Sequence, residues 1–270
     1  ALCYGMLLPS GNDAANAAAI NISGSYSAFA ERMNEKAEAL GMKDSNFVTP
    51  SGLDAKGQYS CAYDLALLTA YALKNEDFRE ICCQKSAKVK FGNPPTERWL
   101  NNSNKLLKSY PDCIGVKTGF TDNAGRTLVS AASRNGVTLI AVTLNAPDDW
   151  NDHTRMLDYG YEKVKDYSAG YDVNSLTLSV VGSDKQTVGL ETRAVSLPLT
   201  RAQRDKVITI VPLPRFIYAD VKQGEKVGRV EYILNDRVIA VSEIVTEECV
   251  SNPQKVDFFT NILRFIKSLF

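Results

Sequence analysis

Two triplets carry the side chains with which this chain could do chemistry: Ser10–Asn12 (Ser-Gly-Asn) and Lys117–Gly119 (Lys-Thr-Gly). They hold hydroxyl, carboxamide and ammonium groups, which proteins use to move protons and to stabilise an anion. Three residues of given types often occur together by chance, so each triplet alone is weak evidence of a functional site. The position of each triplet strengthens that evidence. Ser10–Asn12 falls between two predicted apolar helices, and Lys117–Gly119 ends a predicted apolar strand before a tight turn.

The elements that must position these triplets follow from hydrophobic periodicity. Pro9 ends an apolar helix. Residues 46–59 show neither the helical nor the strand periodicity, so we predict a long loop there. Asn135–Gly136 is a strong signal for a hairpin turn. We predict helices over 2–8, 13–22, 25–40, 63–73, 76–83 and 153–167, and strands over 89–91, 113–118, 127–132 and 137–144.

The pattern changes near Ser168, where β-branched runs without helical period indicate a small all-β domain. From Asn252 it changes again to an amphipathic helix. Its apolar face carries Val256, Phe259, Ile262, Leu263, Ile266 and Phe270. We therefore divide the chain into residues 1–168, 169–250 and 251–270. The predicted strands of the middle part are 176–181, 188–192, 207–211, 229–234 and 238–245.

Composition limits the partners and cofactors. The 270 residues are 44% hydrophobic and 23% charged, which is ordinary for a globular protein. Basic and acidic residues are equal at 31 each, so no global field attracts nucleic acid, and a charged substrate must be held by local groups. His153 is the one histidine and no C-x-x-C pair occurs, so no zinc pattern is present. We expect most of the six cysteines to be small buried apolar residues.

With these motifs in place, the chain resembles the low-molecular-mass D-alanyl-D-alanine carboxypeptidases, penicillin-binding proteins of the S11 peptidase family. Further matching phrases are Phe47–Asp54, Tyr59–Ala66 and Asn102–Leu107. The resemblance implies an α/β penicillin-binding (β-lactamase/transpeptidase-like) domain. In that fold an antiparallel sheet is flanked by helices, and here a small all-β domain and a C-terminal amphipathic helix would follow.

The resemblance also implies an activity. The family removes the terminal D-Ala of peptidoglycan stem peptides by acyl transfer to a serine, binds β-lactams and needs no metal or organic cofactor. By this likeness Ser10 relays a proton toward the leaving amine. Asn12 hydrogen-bonds the substrate backbone and helps to hold the catalytic lysine. Lys117 supplies positive charge beside the developing anion and the substrate carboxylate.

Three residues at the third motif are implied to bind substrate. Thr118 offers a hydroxyl to the substrate carboxylate, Gly119 leaves room for the substrate along the strand edge, and the N–H of Phe120 forms half of an oxyanion hole. The family often has an arginine further on that binds the carboxylate. Arg155 is the nearest candidate in this chain.

The nucleophile motif S-x-x-K is absent from the sequence, which starts at Ala1, nine residues before Ser10. Two interpretations remain open. One is a fragment whose start is internal to a longer gene product. The other is a non-catalytic peptidoglycan-binding pseudoenzyme or scaffold. A class A β-lactamase is disfavoured, because no glutamate occurs from Ala39 to Asn75, where its water-activating residue would be expected.

Simpler roles are open for individual residues. Ser10 could be a helix N-cap, and Lys117 could be a solvated lysine. Gly119 could serve backbone geometry alone, and His153 could be a helix residue whose ring nitrogens are hydrogen-bonded within the fold.

For residues 251–270, Lys255, Arg264 and Lys267 favour contact with an anionic membrane surface. The alternative is a helix packed on the β domain. We expect an extracytoplasmic protein, peripheral on the cell-envelope side of the cytoplasmic membrane.

Overall fold

The computed structural model describes residues 1–252. The chain divides into two compact units, Ala1–Val164 and a second that begins at Lys165. The predicted amphipathic helix of residues 253–270 lies outside the described residues.

The first unit begins with helices, and local signals set their ends. Gly24 ends α2 in the left-handed conformation at φ 76°, which suits glycine. Ser25 caps α3 by accepting the N–H of Ala28 at 3.1 Å, and Asn75 caps α5 through Phe78 at 2.8 Å. The helices are α1 (Leu2–Leu7), α2 (Asn12–Ser23), α3 (Tyr26–Ala39), α4 (Ala62–Ala72), α5 (Glu76–Cys82), α6 (Leu106–Ser109) and α7 (Asp149–Lys163).

Five strands complete this unit: β1 (Ser86–Phe91), β2 (Thr96–Asn101), β3 (Cys113–Thr121), β4 (Gly125–Arg134) and β5 (Val137–Leu144). β1 and β2 form a separate hairpin, and the other three form an antiparallel sheet in the order β3-β4-β5. Asn135 and Gly136 turn β4 into β5 with φ of 50° and 79°, as a type I′ hairpin requires. Leu128 and Ala132 pack with Leu157 of α7, which fixes the sheet that carries Lys117.

The second unit is β-rich. Its strands are β6 (Val164–Ala169), β7 (Thr177–Val181), β8 (Thr187–Thr192), β9 (Val195–Thr200), β10 (Ile208–Ile210), β11 (Phe216–Tyr218), β12 (Lys226–Leu234) and β13 (Arg237–Thr246). Six of them form a sheet in the order β10-β12-β13-β8-β7-β11, and β6 pairs with β9. Val188, Leu190, Val230 and Ile244 are fully buried in its core.

Three expectations are corrected. The helix predicted to reach Tyr167 ends at Lys163, and its last residues belong to β6. The second unit is not all-β, because Thr200 and Gln203 form a capping box that starts the short helix α8 (Arg201–Arg204). Most cysteines are not buried either: Cys82 is buried, Cys61 and Cys113 are intermediate, and Cys3, Cys83 and Cys249 are exposed.

Candidate active site

Ser10 is held on a constrained corner between α1 and α2. Leu8 is fully buried, and its carbonyl accepts the N–H of Ser103 at 3.0 Å, while Gly11 donates to the Gly5 carbonyl at 2.8 Å. Between these anchors Ser10 adopts φ 63°, a conformation that few residues other than glycine adopt. The N-cap of α2 is Gly11, without a side-chain cap, so the N-cap role for Ser10 is wrong.

Lys117 reaches this corner from β3. Its Nζ donates to Ser10 Oγ at 2.6 Å and to the Thr118 carbonyl at 2.7 Å. Burial lowers the pKa of Lys117 to about 8. No carboxylate forms an ion pair with it among residues 1–252. The solvated-lysine explanation is therefore wrong, and Lys117 is a partly desolvated cation that no carboxylate within residues 1–252 compensates.

The rest of the third motif lies on the edge strand of the described sheet. A Cβ at Gly119 would clash with Thr127 Oγ1 on β4, so any other residue at this position would force the Thr127 side chain to move. Phe120 is 68% exposed at the same edge. Thr118 is partly buried and pairs in register with Leu128.

Asn12 is the first residue of α2, and its side chain is exposed. Within the described part of the chain its carboxamide has no hydrogen-bond partner. Ser10 and Lys117 are thus directly hydrogen-bonded, whereas within residues 1–252 no hydrogen bond joins the Asn12 side chain to either of them.

The long loop before α4 is tied to the turn that follows the third motif. Thr121 Oγ1 donates to Asp54 Oδ1 at 2.8 Å, and the N–H of Asn123 donates to Asp54 Oδ2 at 3.4 Å. Gln58 organises the loop by accepting the N–H of Thr49 at 2.9 Å and donating to the Leu53 carbonyl at 2.9 Å. Asp54 belongs to the Phe47–Asp54 segment that resembles the family, but no local signal in the sequence predicts its hydrogen-bond partner.

Comparison with known proteins identifies the family of this chain. The sequence model of the D-alanyl-D-alanine carboxypeptidases (Peptidase S11) matches residues 1–148, more than half of the chain. The chain belongs to this family. A second model, for the C-terminal domain of penicillin-binding protein 5, matches residues 161–252. A transpeptidase-like catalytic domain is therefore followed by a β-rich C-terminal domain, and the family to which the chain belongs is that of the serine-type D-Ala-D-Ala carboxypeptidases.

Individual curated proteins support the same family assignment. The chain is 32% identical over 267 residues to the carboxypeptidase DacF of Bacillus subtilis, covering 96% of this chain and 67% of the relative. It is 30% identical over 276 residues to DacA of Escherichia coli K12, covering 100% and 66%. It thus spans about two thirds of the length of the curated relatives that it matches.

Solved structures show the same fold. Penicillin-binding protein 5 of Haemophilus influenzae aligns with a TM-score of 0.62 and 28% identity over 93% of this chain and 74% of that one. The Streptomyces K15 DD-transpeptidase aligns with a TM-score of 0.57 and 33% identity over 60% of this chain and 66% of that one.

Two further candidate residues, His153 and Arg155, do not belong to the site formed by Ser10 and Lys117. His153 on α7 is fully buried against the sheet, where Nδ1 hydrogen-bonds Ser130 Oγ of β4 at 2.5 Å and Nε2 hydrogen-bonds Thr143 Oγ1 of β5 at 2.9 Å. Burial lowers the pKa of His153 to about 4, so it is a neutral structural residue. The side chain of Arg155 is 72% exposed and pairs with Asp152 at 2.7 Å, and within residues 1–252 no hydrogen bond or ion pair joins it to either triplet.

Proposed function

We propose that Ser10, Asn12 and Lys117 form two of the three catalytic motifs of a site that removes the terminal D-Ala from peptidoglycan stem peptides. In the reaction of the family, a serine oxygen bonds to the carbonyl carbon of the penultimate residue and the C–N bond to D-Ala breaks. Water then hydrolyses the ester. Residues 1–270 contain no S-x-x-K sequence, so the proposal assigns the nucleophile to a segment outside them.

The contact between Lys117 and Ser10 carries this proposal. A lysine ammonium beside the Ser10 hydroxyl favours proton transfer from that hydroxyl to the leaving amine, because the transient alkoxide is stabilised. The same uncompensated charge favours a ligand that carries a carboxylate, as a peptide ending in D-Ala-D-Ala and a β-lactam both do.

The roles of the remaining site residues are proposed with it. The exposed carboxamide of Asn12 is free to bind the substrate backbone. The edge position of β3 allows Thr118 to meet the substrate carboxylate and the Phe120 N–H to face the oxyanion. Gly119 would let the substrate lie close to the strand, in addition to its packing against Thr127.

The acyl-transfer proposal is tested in a protein in which an S-x-x-K segment is joined to this chain. Lys117→Ala should slow acylation by a β-lactam about 100- to 1000-fold, the usual effect of removing one preorganised electrostatic contact. Lys163→Ala, at an exposed lysine paired with Glu162, is the matched control. Acylation of Lys117→Ala within threefold of wild type would reject the role of Lys117.

A non-catalytic, peptidoglycan-binding product is the second candidate, because the 270 residues hold no S-x-x-K. Reading the gene upstream of the Ala1 codon separates the two. An S-x-x-K there supports the enzyme, and a gene without it supports the binding product. In either case the 270-residue chain alone should show no covalent adduct by intact mass after incubation with a labelled β-lactam.

Carboxypeptidases related to penicillin-binding protein 5 act in the cell envelope. Among residues 1–252, no helix has the length and apolar character needed to cross a membrane. We propose that the third predicted part, residues 251–270, lies on the membrane surface from the extracytoplasmic side. Anionic vesicles should pellet the intact chain and not a chain ending at Ser251. Equal pelleting would show that the tail is not the anchor.

A further inference from the structure

Trp99 is exposed in a way that the core does not explain. It is 66% exposed on β2, although tryptophan is on average among the more buried residues. Its indole N–H has no hydrogen-bond partner among the residues that the structure describes. The exposed indole therefore offers a large flat apolar face together with an unpaired N–H donor, both available to a ligand.

The hairpin under Trp99 is a fixed platform. Ala87, Val89 and Leu100 pack against Leu8 and Ile81 in one apolar cluster. Successive strand residues point to opposite faces, and Lys88 pairs in register with Trp99, as Lys90 does with Glu97. The packed face therefore anchors the hairpin, and these four residues share the opposite face.

This region is positively charged in a chain whose net charge is zero. Lys88 pairs with Glu97 at 2.6 Å, with both side chains about half exposed. Lys90 has no ion pair within residues 1–252. Residues 84–101 contain one acidic residue, Glu97, and four basic ones, Lys85, Lys88, Lys90 and Arg98.

A groove of about 370 Å³ lies along β1, where residues of both faces of the hairpin line it, including Ala87 and Val89 of the packed face. Its lining includes Tyr4, Gln84, Ser86, Lys88, Lys90 and Trp99. An aromatic face stacks on the flat face of a sugar ring, hydroxyl and amide groups bind sugar hydroxyls, and an unpaired ammonium binds a carboxylate. The combination fits an acidic glycan better than a neutral peptide.

We propose that this groove binds the glycan strand of peptidoglycan, with a sugar ring on Trp99 and a stem-peptide carboxylate at Lys90. The inference rests on the proposed function for its choice of polymer. Tyr4 is six residues before Ser10, and six residues span at most about 21 Å. A strand held in the groove therefore keeps its own stem peptides near Lys117 and raises their effective concentration.

Co-sedimentation of the intact chain with purified peptidoglycan sacculi tests this proposal. Trp99→Ala should weaken binding about tenfold, and Lys90→Gln should weaken it several-fold and reduce its dependence on salt. Trp99→Phe should retain most of the affinity. The control is Tyr159→Ala, because Tyr159 is 64% exposed and also lies beside a lysine, Lys163, at 5.2 Å.

Equal pelleting of wild type, Trp99→Ala and Lys90→Gln would overturn the proposal. So would binding to anionic phospholipid vesicles that depends on Trp99 while sacculi are not bound, because this face would then be a membrane contact. The measurement involves no turnover and no β-lactam. A failure here is therefore distinct from a failure of the acylation test on Lys117.

Discussion

Ser10 and Lys117 are 107 positions apart in the chain, yet Lys117 Nζ donates to Ser10 Oγ across 2.6 Å. The contact joins the corner between α1 and α2 to the edge strand β3. Because both ends are fixed, Ser10 by the bonds of Leu8 and Gly11 and Lys117 by the pairing of β3 with β4, the pair is preorganised before any ligand binds.

The titration of Lys117 predicts a pH dependence. Burial lowers its pKa to about 8, so the ammonium that holds the anion is lost as pH rises through this value. In a protein with an S-x-x-K segment, the acylation rate should fall to about half of its pH 7 value at pH 8 and to about a tenth at pH 9. A rate that stays level to pH 9.5 would exclude the Lys117 ammonium as the group required.

We predict that a larger residue at position 119 lowers stability, because its side chain would conflict with that of Thr127. Gly119→Ala places a Cβ in steric conflict with Thr127 Oγ1 and should cost about 1–3 kcal/mol of unfolding free energy through overpacking. Thr127→Ala removes the atom that clashes, so the double variant should recover most of that loss in a urea titration. If the double variant is as unstable as the sum of the two single variants, the contact is not the cause.

His153 should make stability depend on pH. Its pKa is lowered from 6.5 to about 4, so between these values the unfolded chain binds a proton that the folded chain does not. The unfolding free energy should therefore decrease as pH falls through this window, by about 2 kcal/mol from pH 7 to pH 5. His153→Gln should be less stable at pH 7 and should show a smaller decrease. An equal decrease in both proteins would assign the pH dependence to other groups.

Asp54 is predicted to position the turn that follows Phe120. Asp54→Ala removes the acceptor for Thr121 and Asn123, and acylation should slow about tenfold with stability changed by about 1 kcal/mol or less. Asp54→Asn keeps an acceptor for Thr121 and should recover part of the rate. Asp112→Ala, at an exposed aspartate paired with Arg134, is the control. An unchanged rate in Asp54→Ala would mean that the loop does not position the site.

Local sequence signals were sufficient to predict most of the helices and strands around the site. Alternation and the Asn135–Gly136 turn predict β4 and β5, because both depend on neighbouring residues alone. β2 was missed because Thr96–Trp99 is exposed throughout and lacks an apolar alternation. β6 was missed because Val164–Ala169 continues the helical pattern of α7.

The site itself was only partly predictable. Family resemblance brought Ser10 and Lys117 together, since nothing local relates residues so far apart in sequence. The packing of Gly119 against Thr127 and the bond from Thr121 to Asp54 depend on strand register and loop path, which hydrophobic periodicity does not specify.

The proposed catalytic role of the site depends most directly on the coupling of Ser10 and Lys117. A double-mutant cycle measures it: the rate of β-lactam acylation for Ser10→Ala, Lys117→Ala and the double variant, each joined to an S-x-x-K segment. We predict that each single change slows acylation about 100-fold and that the double variant is slower than either by less than about tenfold, because the pair acts as one unit. Losses that multiply fully, to about 10,000-fold in the double variant, would contradict the claim that the two residues act together.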